Sequence, residues 1–223
     1  MTFSIIARCP ASGQFGAAVA SSSPAVAARC IRVRSGIGAA VSQCTTDPQL
    51  GPQALDRMAA GMTPEQALAS FAQVPFIEYR QLMAIDAAHA PAIFTGAATL
   101  GTIASASGRD AACAGNLLAS DTVPAAMLAA FEQAHGCLAD RLMQALAAGE
   151  AAGGEAGPVH SAGLLVCDRL EWPIIDLRID WVEEDPIAAL QRAWSVYGPQ
   201  AQDYVTRALD PRAAPSFGVP GNP

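Results

Sequence analysis

The stretch that most constrains this chain is its start, Met1 to Ser21. Two short apolar runs, Thr2-Phe3-Ser4-Ile5-Ile6-Ala7 and Phe15-Gly16-Ala17-Ala18-Val19-Ala20-Ser21, flank the turn-rich Cys9-Pro10-Ala11-Ser12-Gly13. Pro and Gly punctuate the middle while β-branched and apolar residues fill the arms, which predicts a β-hairpin. Thr2 opens the first arm directly after Met1 and is small enough for aminopeptidases to expose it. A free N-terminal Thr carries its own general base. Its α-amine, with an unperturbed pKa of about 7.7–8.0, is partly neutral at cytosolic pH and accepts the hydroxyl proton.

The rest of the composition narrows the chemistry. A chain of 223 residues, 52% hydrophobic and 15% charged, fits one well-buried domain and not a disordered chain. All 13 basic residues are Arg, which excludes a P-loop phosphate site, a Schiff-base lysine and a Ser-Lys dyad. A net charge of −7 argues against nucleic acid and anionic membrane as partners. Cys9, Cys30, Cys44, Cys113, Cys137 and Cys167 are scattered, as are His89, His135 and His160, so neither a metal site nor a cofactor is expected. The cysteines read mostly as small core residues. No secretory signal or membrane span is recognisable, and the chain reads as cytoplasmic.

Taken in order, Ala25 to Arg34 has no clear period, and Gly36 to Gln43 reads as a strand whose Gly-x-Gly serves packing and not dinucleotide binding. Pro52 to Ala60 reads as a helix closed by Gly61. Thr63-Pro64-Glu65-Gln66 carries a capping box for a helix through Phe71. Strands are expected over Tyr79 to Asp86 and Ala92 to Gly96, with further strand material over Thr99 to Ser107 and Asp110 to Leu118. Asp121 is the expected cap of a helix from Val123 to His135, and a helix from Leu138 to Ala148 is expected to stop at Gly149. Strands over Ser161 to Cys167 and Ile174 to Asp180 precede a last long helix starting at Asp185-Pro186. Residues 1–209 form the expected single domain, and 210–223, with Pro211, Pro215, Pro220 and Pro223, a Pro-rich tail. Grouped strands and helices predict an α+β fold with helix layers on two antiparallel sheets, and a four-layer αββα sandwich fits.

Several stretches together resemble domain-of-unknown-function family 1028, placed in the N-terminal nucleophile (Ntn) hydrolase-like superfamily. They include the opening Thr2-Phe3-Ser4-Ile5, Gly16 to Ser21, Gly36 to Ala39, Tyr79-Arg80-Gln81, Phe94-Thr95-Gly96, Ala114 to Leu118, Ala148 to Gly154, Ser161 to Val166 and Asp176 to Asp180. The resemblance implies an Ntn fold and an amidohydrolase in which Thr2 attacks a small amide, cyclic imide or acylated amino acid. Asn116 is then the candidate oxyanion donor, and Ser21, Gln43, Arg80, Thr95, His160, Ser161 and Arg178 are candidate substrate contacts. Arg178, a strand Arg flanked by Asp176 and Asp180, reads more often as a structural ion pair. The expected partners are a small-molecule substrate and a second copy of the chain in a homodimer.

The chain departs from the resemblance at Glu155-Ala156-Gly157-Pro158-Val159-His160-Ser161, where relatives carry Arg-Gly-x-Gln-Ser, which implies a changed pocket. His160 and Ser161 do not make a dyad, because adjacent strand residues point to opposite faces. The alternative function is a non-catalytic small-molecule-binding or assembly module on the same fold, and the absence of Lys favours it. A third reading places the chemistry on Ser4 or Cys9 without processing.

Overall fold

In the computed structural model, which describes residues 1–216, the first hairpin forms the centre of the molecule. Strands β1 (Thr2–Cys9) and β2 (Gln14–Ser21) pair antiparallel, with Phe3 opposite Ala20 and Ala7 opposite Gly16. Both are buried almost throughout, as strands covered on two faces must be. The remaining strands are β3 (Ile31–Arg34), β4 (Gly38–Cys44), β5 (Arg80–Ile85), β6 (Ala92–Thr95), β7 (Ala104–Ser107), β8 (Ala111–Asn116), β9 (Ser161–Cys167) and β10 (Ile175–Ile179). They build two antiparallel sheets, one in the order β10-β9-β2-β1-β8-β7 and one in the order β3-β4-β5-β6.

Among the described residues seven α-helices accompany them: α1 (Val26–Cys30), α2 (Leu50–Ala59), α3 (Pro64–Ala69), α4 (Val123–Gln133), α5 (Leu138–Ala151), α6 (Pro186–Tyr197) and α7 (Ala201–Leu209). Three apolar clusters define the layering. Phe3, Ile5 and Ala7 pack under α4, α5 and α6 with Met127, Phe131, Leu142, Leu146 and Leu190. Ile6, Val19, Val41, Met83 and Ile85 fill the space between the sheets. Leu50, Leu55, Leu68 and Phe71 of the α2–α3 region cover the other face of β4 and β5. The result is an α+β sandwich, two sheets face to face with helices outside. Small side chains bring the layers together: a Cβ added at Gly16 would lie 2.6 Å from Leu142 Cδ1 of α5.

The capping box forms as the sequence predicts. Thr63 Oγ1 accepts from Gln66 N at 3.2 Å, and Gln66 Oε1 accepts from Thr63 N at 3.0 Å. Thr63→Ala is expected to cost about 1 kcal/mol in chemical denaturation.

Other expectations are corrected. The unperiodic stretch after β2 holds α1 and β3. Thr99 to Ile103 is loop, because Leu100 and Thr102 carbonyls accept from Leu117 and Leu118 N–H instead of forming a strand ladder. Asp121 does not cap α4; Thr122 holds the N-cap position, without a side-chain bond to the helix. Gly149 does not end α5, which runs to Ala151. A Cβ there would sit 2.8 Å from Met127 Cγ and 3.1 Å from Phe3 Cε2, so its glycine answers to packing. Asp185 does cap α6, accepting from Ala188 N at 2.8 Å, but α6 is not the last helix: Pro199 in a 3-10 turn leads into α7. Of the cysteines, Cys30, Cys113 and Cys167 are buried, Cys9 and Cys44 are half-buried and Cys137 is exposed. In the Pro-rich tail, Pro220 and Pro223 lie outside the described residues.

Candidate active site

Alternation along β1 decides which side chains meet. With Phe3, Ile5 and Ala7 turned to the helices, Thr2, Ser4 and Ile6 turn to the space between the sheets. At this end of the sandwich Thr2 pairs with Asn116 of β8, and Ser21 of β2 pairs with Ser161 of β9. Thr2 is 4% exposed, and its Oγ1 lies 3.4 Å from Ser21 Oγ. Both hydroxyls donate to the Met1 carbonyl, Ser21 at 2.5 Å. Ser23 Oγ stands 2.9 Å from Ser21 Oγ, so hydroxyl groups converge on the first peptide bond.

Beside them runs a buried amide ladder. Ser4 Oγ donates to Gln43 Oε1 at 2.6 Å, and Gln43 Nε2 donates to Gln81 Oε1 at 2.8 Å and to the Ala114 carbonyl at 3.2 Å. Gln81 Nε2 donates to Thr95 Oγ1 and to the Gly115 carbonyl, each at 3.3 Å. Because the two backbone carbonyls only accept, they fix which way both glutamine amides point. Asn116 Nδ2 must then donate to Gln81 Oε1, at 3.3 Å, and Asn116 Oδ1 has no partner in a wholly buried side chain. Such an unpaired acceptor costs about 1–3 kcal/mol, and groups of this kind collect where a ligand is to be met. The residues after Gln43 and Asn116, Cys44 (φ 72°) and Leu117 (φ 53°), are both left-handed without being glycine. Local backbone strain of this sort concentrates at functional sites.

Glu155 closes the site from the loop after α5. It is 5% exposed, and both carboxylate oxygens accept from Ser22 N–H at 3.1 Å. Burial pushes its carboxyl up to about 7, with Glu150 acting in the same direction and Ser22 and the chain's α-amine opposing. A folded pKa raised from 4.5 to about 7 means the native state holds a proton that the unfolded chain gives up over that range. Its contribution to stability is present below the unfolded value and is lost as pH rises through about 7. Thermal melts of the wild type are expected to fall over this window more steeply than those of Glu155→Gln.

Not every candidate joins this group. Ser21, Gln43, Asn116 and, at the exposed end of the ladder, Thr95 do. Ser161 is adjacent, but its Oγ holds the turn after β2, donating to the Ser23 carbonyl at 2.6 Å and accepting from Val26 N at 3.3 Å. His160 turns away: its ring stacks on Trp181 at 4.3 Å, and Nδ1 lies 2.9 Å from the Val182 carbonyl. Arg80 precedes inward-facing Gln81 on β5, so alternation sends it to the helix side of the sheet, where it donates to the Thr45 carbonyl. Arg178 on the outermost strand, β10, pairs with Asp176 at 3.4 Å, both about half exposed. The sequence assigns no role to Gln81 or Glu155, and Ser4, its alternative bearer of the chemistry, donates to Gln43 instead. The only signal for Glu155 was one acidic residue between Gly153-Gly154 and Gly157-Pro158.

Among the described residues no group of three or more His, Cys, Asp or Glu is placed to hold a metal ion, and no helix is long and apolar enough to cross a membrane. Fold and site together define an α+β sandwich with a hydroxyl and amide cluster at the start of its central strand. The chain belongs to DUF1028, a family of unknown function, whose family model matches residues 2–190. It is similar to the crystal structure of protein SPO2555 from Silicibacter pomeroyi, described with the same family, at 31% identity over 88% of each chain with a TM-score of 0.82. No curated protein matches the chain.

Proposed function

We propose that this protein is an Ntn-type amidohydrolase in which Thr2, freed by removal of Met1, is the nucleophile. The supporting observation is the placement of Thr2: at the start of a central strand, its hydroxyl beside Ser21 and its backbone opposite the unsatisfied Asn116. Thr2 Oγ attacks the amide carbonyl while its own amine takes the proton; the amine leaving group departs, and water releases the acid from the acyl-enzyme. Ser21 Oγ, and the N–H of Asn116 not given to Gln81, are the side-chain donors available to the oxyanion. The substrate is a small molecule, without a cofactor, in the cytoplasm.

The test is pre-steady-state hydrolysis of an activated aryl ester. An acyl-enzyme that deacylates slowly predicts a burst of aryl alcohol approaching one equivalent per chain. Linear release at the rate of buffer alone would defeat the proposal. One observation favours the binding-module alternative: with Met1 in place, its carbonyl engages both hydroxyls.

A further inference from the structure

Met1 is held as a ligand would be. Its carbonyl oxygen accepts from the Thr2 and Ser21 hydroxyls. Its side chain lies against Gly157, where an added Cβ would come 3.5 Å from Met1 Cε and 4.0 Å from Sδ. Glu155 is held on Ser22 N–H, one residue on from the Ser21 whose hydroxyl donates to the Met1 carbonyl, and the chain's α-amine favours its charged form. The two Glu155 oxygens share one protein donor, Ser22 N–H, so the carboxylate keeps capacity to accept from a cation. A buried carboxylate is costly without a partner, and an ammonium group beside it offsets that cost.

Resting on the Thr2 reading, we infer that the site takes aminoacyl amides: an α-ammonium group at Glu155, the scissile carbonyl between the Thr2 and Ser21 hydroxyls, and the side chain toward Gly157. Met1 occupies the place of the acyl half. In turnover the Thr2 oxygen bonds to the carbonyl carbon and the C–N bond breaks. The hydroxyl proton passes through the Thr2 amine to the departing amine. Water then cleaves the ester, giving a free amino acid and restoring Thr2. Glu155 is the specificity-determining residue.

The experiment compares methionine and alanine 4-nitroanilides with their N-acetyl counterparts on protein lacking Met1. The free-amine substrates are expected to exceed the acetylated ones in kcat/KM by about tenfold or more, since charge pairing at a buried carboxylate is lost on acetylation. Glu155→Gln, which keeps an acceptor for Ser22 N–H, is expected to lower that ratio by about tenfold. Calorimetry with methioninamide and N-acetylmethioninamide reads the same preference without turnover. Equal or better use of the acetylated compounds overturns the inference and leaves Thr2 as nucleophile untouched. Neither turnover nor methioninamide binding also overturns it, while the ester burst separately judges Thr2.

Discussion

Thr2→Ala is expected to lower amide and ester hydrolysis by about 1,000-fold or more, the scale on which removal of a covalent nucleophile acts. The substitution removes Oγ1 and keeps the α-amine, the strand and the pairing with Asn116, so the fold has little to lose. Thr2→Ser restores a hydroxyl and an amine at the same position and is expected to recover much of the rate. The competing hydroxyls are otherwise engaged: Ser4 donates to Gln43, and Ser161 to the Ser23 carbonyl. If Thr2→Ala kept hydrolysis within a few-fold of wild type, the nucleophile would lie elsewhere. Initial rates on the activated ester, with circular dichroism to confirm folding, decide between these outcomes.

The largest expected stability effect lies at the opposite end of β1. Arg8 is 8% exposed and ties both sheets together. Its Nε donates to Asp110 Oδ1 at 2.9 Å, one terminal nitrogen donates to the Asp86 and His89 carbonyls, and the other to the Arg109 carbonyl, each at 2.8 Å. The Asp86–His89 turn joins β5 to β6, while Arg109 and Asp110 join β7 to β8. Deleting the guanidinium strands three carbonyls and leaves Asp110 without its cation. Buried ion pairs broken on one side lose about 3–5 kcal/mol, and the 28% side-chain exposure of Asp110 puts Arg8→Ala near the lower figure. For a chain of this size that is a drop of about 10 °C in Tm. A melt within about 2 °C of wild type would mean that water replaces the clamp. The residue is remote from Thr2 along the strand, so this loss separates stability from chemistry.

Local signals explain what the sequence revealed. The hairpin was legible because a Pro-Gly turn separates two apolar runs, and the Thr63 cap because its motif is contained in four residues. The α1–β3 segment was not, because five residues of helix and four of strand are too short to display a period. Gly149 misled because a glycine reads locally as a stop, while the need for it comes from Met127 and Phe3. The site divides the same way. Thr2 was visible from its place in the chain, whereas the Gln43–Gln81–Asn116 ladder joins strands far apart in sequence and exists only through the packing of two sheets. Arg80 was attractive as a cation near matching residues, but the strand period that brings Gln81 inward sends it out.

The most direct measurement is the intact mass of freshly purified protein after incubation with an activated acyl ester, followed by peptide mapping. A Thr2 nucleophile freed of Met1 predicts a chain lighter by one methionine residue that carries a single acyl group on Thr2. A chain that keeps Met1 and gains no adduct would contradict it.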